Sequence, residues 1–151
     1  MTSPDLFFDS SALFAGIVSA SGASRALLVL AEAGQIAITV SEQVVTETER
    51  TVARKLPRAL PDFREAIHAT GLRIVRDPTP AEADAYADII AHQADVPIVV
   101  VAMQVKTDYL VTLNRRHFID DPAVADRSKL RIGTPGDALA WVRRSLAEAK
   151  A

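Results

Sequence analysis

Three carboxylates and an amide stand where side chains are placed to do chemistry. Asp9 directly follows the apolar "LFF" of residues 6–8, Glu47 lies within "SEQVVTETER", Asp95 precedes the apolar run "VPIVVVAM" (96–103), and Asn114 sits where "LVTLNRRHF" (110–118) turns polar. Carboxylates set close together either raise one another's pKa and share a proton or are neutralised by a cation. The chain has no cysteine, which removes disulfides, thiolate zinc sites and a cysteine nucleophile at once. A cation held by oxygen alone would be Mg2+ or Mn2+, and Mg2+ keeps waters that can be activated to attack a phosphodiester.

Four residues from four segments meet only if the fold brings them together. Residues 6–8 read as a short buried strand ending at Asp9, with helices over 11–20 and 23–34, the second stopped by Gly34. The β-branched "IAITV" (36–40) reads as a strand, and Ser41 as the N-cap of a helix running to about Lys55. This helix carries Glu47, facing inward if Val44 and Val45 pack on a sheet. Further on come a helix over 62–71 ending at Gly71, a strand over 72–75, and a helix over 79–93 with Thr79 as N-cap and Pro80 in its first turn. Pro97 and an unbroken apolar length favour a helix after Asp95. Strands over 109–113 and 130–132 and a closing helix over 134–150 complete the pattern. Strands and helices alternating in this way predict a three-layer α/β/α sandwich around a mostly parallel sheet of four to five strands. In such sheets ligands gather at the carboxyl ends of strands, where Asp9 and Asn114 fall.

A length of 151 residues suits one domain, 1–151, with one core. The 49% hydrophobic and 24% charged fractions are those of a soluble globule. No apolar run approaches a membrane span and no secretory leader opens the chain, so a cytoplasmic location is expected. A net charge of −2 gives no long-range pull toward nucleic acid, so any such binding needs a local basic patch.

The segments "LFFDSSAL", "ITVSEQVVTETERTVARK" and "DVPIVVVAMQVKTDYLVTLNRRHF" resemble, in order and spacing, the motifs of the PIN domain family over nearly the whole chain. That family consists of Mg2+-dependent nucleases and includes the ribonuclease toxins of bacterial toxin–antitoxin pairs. The resemblance implies a catalytic set of Asp9, Glu47, Asp95 and Asn114. Asp9, Glu47 and Asp95 would be the Mg2+ or Mn2+ ligands, and Asn114, with Ser10 or Thr112 in support, would orient the attacking water. It also implies an RNA substrate, an antitoxin partner and a homodimer formed through the early helices. Many members carry Asp where this chain has Asn114, so one negative charge is missing here.

Plainer explanations stand beside these. Asp9 alone reads as a strand-end cap, Asp95 as the N-cap of the following helix, and Glu47 as a partner for Arg50 on a solvated helix that also carries Glu49. Arg50, Arg54, Arg115 and Arg116 form either a phosphate-facing rim or an ordinary mixed-charge surface. His117 reads as a structural anchor with Phe118 tucked under the sheet edge, Asp108 as a turn residue, and His68 and His92 as surface residues with no carboxylate motif nearby. Trp141, Leu139, Val142 and Leu146 fit a core face. Two other functional classes compete with the nuclease: a catalytically inactive PIN-like domain that binds RNA or protein, and a receiver-like signalling module. The latter needs paired acids early in the chain and a late lysine, and neither is in place.

Overall fold

The computed structural model describes residues 3–150. Five strands, β1 (Asp5–Phe8), β2 (Ala37–Ser41), β3 (Arg73–Val75), β4 (Tyr109–Val111) and β5 (Arg131–Gly133), form one sheet in the order β3-β2-β1-β4-β5, every pair parallel. The predicted three-layer sandwich is therefore present, with five strands, all of them parallel. β1 lies at the centre, and Leu6, Phe7 and Phe8 are fully buried, as a strand covered on both faces requires. The chain winds outward from β1 through β2 to β3, then crosses back to place β4 on the other side of β1. The crevice at the carboxyl ends of β1 and β4 is therefore the point where the strand order reverses.

The helices are α1 (Ser10–Val18), α2 (Ala23–Glu32), α3 (Glu42–Lys55), α4 (Leu60–Ala69), α5 (Pro80–Asp84), α6 (Val96–Gln104), α7 (Pro122–Ser128) and α8 (Pro135–Lys150). Ser41 caps α3 as expected, its Oγ accepting from the Val44 N–H at 3.2 Å. Gly34 and Gly71 take the left-handed conformations (φ 75° and 68°) that end α2 and α4. Helix α6 carries the six buried residues Val96, Ile98, Val99, Val100, Val101 and Ala102, which settles the strand-or-helix ambiguity of that run. On α8, Ala138 and Val142 are buried, and Leu139, Trp141 and Leu146 pack against the core. Among the described residues no single helix is long and apolar enough to cross a membrane.

The expected helix over 79–93 is corrected. Thr79 and Glu82 do form a reciprocal capping box, but the helix ends at Asp84 and gives way to tight turns, including Tyr86 N–H to Ala83 O and Ile89 N–H to Tyr86 O. Tyr86 is 45% exposed whereas Ile89 and Ile90 are buried. Both of these adjacent isoleucines reach the core from the turns that follow the helix. Two helical segments that were not anticipated follow β4. One is α7, which Asp121 caps and Pro122 opens and which buries Val124. The other is a single π-helical turn, Arg115–Ile119, capped by Asn114 and burying Phe118.

Candidate active site

The β1–β4 ladder continues one residue past β1, because the Asp9 N–H donates to the carbonyl of Val111, the last residue of β4, at 3.1 Å. This backbone bond brings Asp9 beside Thr112, whose hydroxyl donates to Asp9 Oδ2. Asp9 Oδ1 accepts from the Ser11 hydroxyl at 2.7 Å and from the Ala12 N–H at 2.9 Å, so the carboxylate also caps α1. A carboxylate has about four acceptor positions, and three are in use. One position on Oδ2 stays open.

Asp9 is only 4% exposed. Burial pushes its carboxyl above the ordinary carboxylate value, the hydrogen bonds from Thr112, Ala12 and Ser11 pull it back, and the nearby Asp95 charge raises it again. Among the described residues Asp9 has no ion pair. A buried, uncompensated carboxylate facing a second one is held only at a cost in stability.

Asp95 comes from the other side of the crevice. It ends a 3-10 turn, Gln93–Asp95, and stands at the N-cap position of α6, but its side chain makes no capping bond. The plain N-cap explanation is thereby overturned: Oδ2 lies 3.0 Å from His117 Nδ1 and 3.2 Å from His92 Nδ1. The reading of His92 as a residue with no carboxylate nearby is corrected too, since a 3-10 turn sets positions three apart above one another.

Asn114 is partly buried. Its Oδ1 accepts from the His117 N–H at 3.1 Å, its Nδ2 meets His117 Nδ1 at 2.9 Å, and its own N–H donates to Thr112 Oγ1 at 2.9 Å. Asp9, Thr112, Asn114, His117 and Asp95 thus form one unbroken chain of contacts across the crevice.

Glu47 is reached from α3. Its Oε1 accepts from Gln43 Nε2 at 2.7 Å, and the same Nε2 donates to the Ala94 carbonyl at 3.2 Å, beside Asp95. Gln43, four residues before Glu47 on one helix face, is thus the tie between α3 and the Asp95 segment. The suggested Glu47–Arg50 pair does not form among the described residues; the ion pair on that helix is Arg64–Glu49 at 3.5 Å. Ser10 makes no side-chain hydrogen bond among the described residues, and the supporting serine in the structure is Ser11. Its place two residues after a capping Asp was the available signal.

Arg50, Arg54, Arg115 and Arg116 are all exposed. Arg115 lies close enough to Asp137 for its charge to help hold that carboxyl down, behind the larger effect of the Thr134 hydrogen bonds. Asp108 is a turn residue as expected, its Oδ2 accepting the Asp5 N–H at 2.8 Å.

The donor set suits a hard cation. Asp9 Oδ2 has its open position, and Asp95 Oδ1 and Glu47 Oε2 take no partner among the described residues. These are oxygens of the kind that bind Mg2+ or Mn2+. Among the described residues the three carboxylates do not close to within 4.8 Å of one another.

A parallel sheet of this order is an α/β domain of the kind in which ligands gather at the switch point, which here carries acids. Residues 5–116 match the family described as "PIN domain", which is most of the chain, and the protein belongs to that family. The fold is shared with PAE2754 from Pyrobaculum aerophilum (TM-score 0.64, 15% identity, covering 93% of this chain and 90% of that one). It is also shared with VapBC2 from Rickettsia felis, solved bound to a DNA fragment from its promoter (TM-score 0.60, 18% identity, covering 86% and 98%). A third structure with this fold is FitAB bound to an IR36 DNA fragment (TM-score 0.60, 17% identity, covering 86% and 94%). No curated protein matches the chain.

Proposed function

We propose that this chain is a Mg2+- or Mn2+-dependent endoribonuclease whose catalytic set is Asp9, Glu47, Asp95 and Asn114. The observation that carries the reading is Asp9: a carboxylate at the switch point of a PIN domain, without a cationic partner among the described residues and raised in pKa by burial and by the nearby Asp95. When bound, the ion would lower the pKa of a water and stabilise charge on the phosphate oxygens.

The protein supplies the geometry. Asp9 Oδ2, Asp95 Oδ1 and Glu47 Oε2 offer the oxygens. Thr112 and Ser11 fix Asp9, and Gln43 fixes Glu47. Asn114 Oδ1, which spends one acceptor position on the His117 N–H, keeps another for the attacking water. Arg50, Arg54, Arg115 and Arg116 are free to meet phosphates along the RNA. Water is the nucleophile, so no covalent enzyme intermediate forms.

Residues 1–151 act as one domain, in the cytoplasm. The protein serves as the toxin of a toxin–antitoxin pair, restrained by a cognate antitoxin and assembled as a homodimer. The toxin role rests on the family resemblance, supported by the fold shared with VapBC2 and FitAB. Expression without a partner should arrest growth, and unaffected growth would count against the role.

A second reading, a catalytically inactive PIN-like domain that binds RNA or protein, is favoured by one observation. The Asn114 amide supplies no charge, and both of its side-chain atoms are engaged by His117. Incubating RNA and DNA oligonucleotides with the protein and Mg2+, Mn2+ or EDTA separates the two. Metal-dependent RNA cleavage supports the nuclease, and binding without cleavage in any metal supports the alternative.

A further inference from the structure

His92 and His117 are held together as one unit beside Asp95. His92 precedes the 3-10 turn that Asp95 ends, and His117 belongs to the Asn114-capped π-helical turn after β4. Their rings are stacked, centroids 4.2 Å apart and 19° from parallel. Each ring is also fastened at its edge, with His117 Nδ1 3.0 Å and His92 Nδ1 3.2 Å from Asp95 Oδ2. A ring fixed by one face and one edge has little freedom left to lose when a ligand binds.

His92 is the open member of the pair. One of its faces lies on His117, yet 50% of its side chain remains exposed, against 28% for His117. Ala91, Gln93 and Ala94 around it are exposed as well. Among the described residues no other aromatic ring or cation stacks on it. The pair stands one carboxylate away from the acidic crevice, since Asp95 Oδ2 fastens the rings while Oδ1 takes no partner among the described residues. Arg116, next to His117, is exposed too. Single-stranded RNA is held by parts of this kind: unpaired bases stack on aromatic side chains, histidine among them, and cations track the backbone.

We propose that the His92–His117 stack is a base-stacking platform, on which His92 takes the base of the nucleotide beside the scissile phosphate in single-stranded RNA. The proposal rests on the nuclease reading and adds to it the form of the substrate. A base inside a duplex is already stacked and has no free face to offer, so the platform selects unpaired RNA. Every base has a face that can stack, so the platform reads no base edge, and its preference follows stacking strength, with the larger purine ring favoured. Asp95 ties the two tasks together, holding the platform with one oxygen and leaving the other to the crevice.

The test is fluorescence anisotropy of the full-length protein with short labelled strands of oligo(A), oligo(U) and an abasic ribose-phosphate chain of equal length. Ca2+ replaces Mg2+, and gels confirm that the strands stay intact. Wild type should bind oligo(A) most tightly and the abasic strand least. His92→Ala should weaken oligo(A) binding by roughly 5–150-fold, the range that losing one stacked base costs, and leave the abasic strand unchanged. His92→Phe should restore oligo(A) binding, because the ring face makes the contact and Nδ1 does not. A histidine that acts only by holding Asp95 gives another pattern, with equal losses on both strands and no rescue by Phe. That pattern, or oligo(A) affinity unchanged in His92→Ala, would overturn the proposal. Cleavage by wild type in Mn2+, run in parallel, separates the two claims. Cleavage alongside unchanged affinity in His92→Ala removes the platform alone, whereas a wild type that neither binds nor cuts RNA removes the nuclease reading and the platform with it.

Discussion

Strand β1 carries an aspartate at each end, and the two are treated in opposite ways. Asp5, at its start, accepts from the Thr39 hydroxyl at 2.8 Å and from Arg73 Nη2 at 2.9 Å, and Arg73 Nε also reaches Thr39 at 3.0 Å. Asp9, just past its end, is more deeply buried and among the described residues receives hydroxyl and amide donors but no cation. Burial raises the pKa of both; at Asp5 the Thr39 hydrogen bond and then the Arg73 charge oppose the rise while Asp108 adds to it, whereas at Asp9 hydrogen bonds alone oppose it and the neighbouring charge, Asp95, adds to it. One end of the strand is closed electrostatically from within the chain. The other leaves charge to be balanced from outside, and it is the end where ligands gather in this class of sheet.

The largest expected effect separates the two aspartates in activity. Asp9→Asn should lower metal-dependent RNA cleavage by roughly a thousandfold or more, since several kcal/mol of transition-state stabilisation go with the metal. Asp5→Asn should stay near wild type in the same oligonucleotide assay. Equal losses in the two variants would erase the contrast.

Next in size is Thr112→Val, which keeps the shape of the side chain and removes the hydroxyl that donates to Asp9. Cleavage should fall by about 10–100-fold, the usual cost of losing a partner that orients a metal ligand. Urea unfolding should show a loss of about 1–3 kcal/mol from the unsatisfied buried group. Unchanged activity would mean that Thr112 does not position Asp9.

A smaller effect is expected at the closed end. Arg73→Ala should destabilise the fold by about 1 kcal/mol at neutral pH, a modest figure because the guanidinium is half exposed and screened. The deficit should shrink as pH falls through the raised pKa of Asp5, because a protonated Asp5 no longer needs the arginine. Urea titrations at several pH values would read it.

The subtlest test is the stability of metal-free Asp9→Asn. A folded-state pKa raised above the unfolded value contributes stability that is fully present below the ordinary carboxylate value of 3.8 and is lost as pH rises through the folded value. Metal-free Asp9→Asn should therefore melt above wild type at neutral pH, with the gap closing in acid. A variant less stable than wild type at neutral pH would show that the Asp9 charge is not a burden on the fold.

Much of this was legible in the sequence because local signals and tertiary needs agree. Ser41 caps α3, Gly34 and Gly71 stop helices, and the apolar run from Val96 is long and bounded by Pro97. Where local pattern and core geometry compete, the sequence misleads. The capping box at Thr79 is real, but the helix ends at Asp84 and the chain brings Ile89 and Ile90 into the core through turns that have no periodicity to read. The π-helical turn after Asn114 depends on an amide capping the His117 N–H and on Phe118 finding the core, neither of which has a periodicity to read. The place of Asp9 and Asn114 at the carboxyl edge of the sheet is legible because strand ends are visible in sequence. The turn of Asp95 away from α6 and toward two histidines was not, because it depends on where a 3-10 turn and a distant strand end meet. Ser11 and Gln43 were missed for a different reason: each sits at ordinary capping or helical spacing from its carboxylate, and the spacing alone does not mark a site.

The most direct test of the central claim is thermal unfolding in excess Mg2+ and in EDTA for wild type, Asp5→Asn and Asp9→Asn. A ligand that binds only the folded state raises its stability. Wild type and Asp5→Asn should therefore gain the same stabilisation from Mg2+, and Asp9→Asn little or none. Equal gains in all three, or none in wild type, would contradict the view that the charge left open at the end of β1 is there to hold a cation.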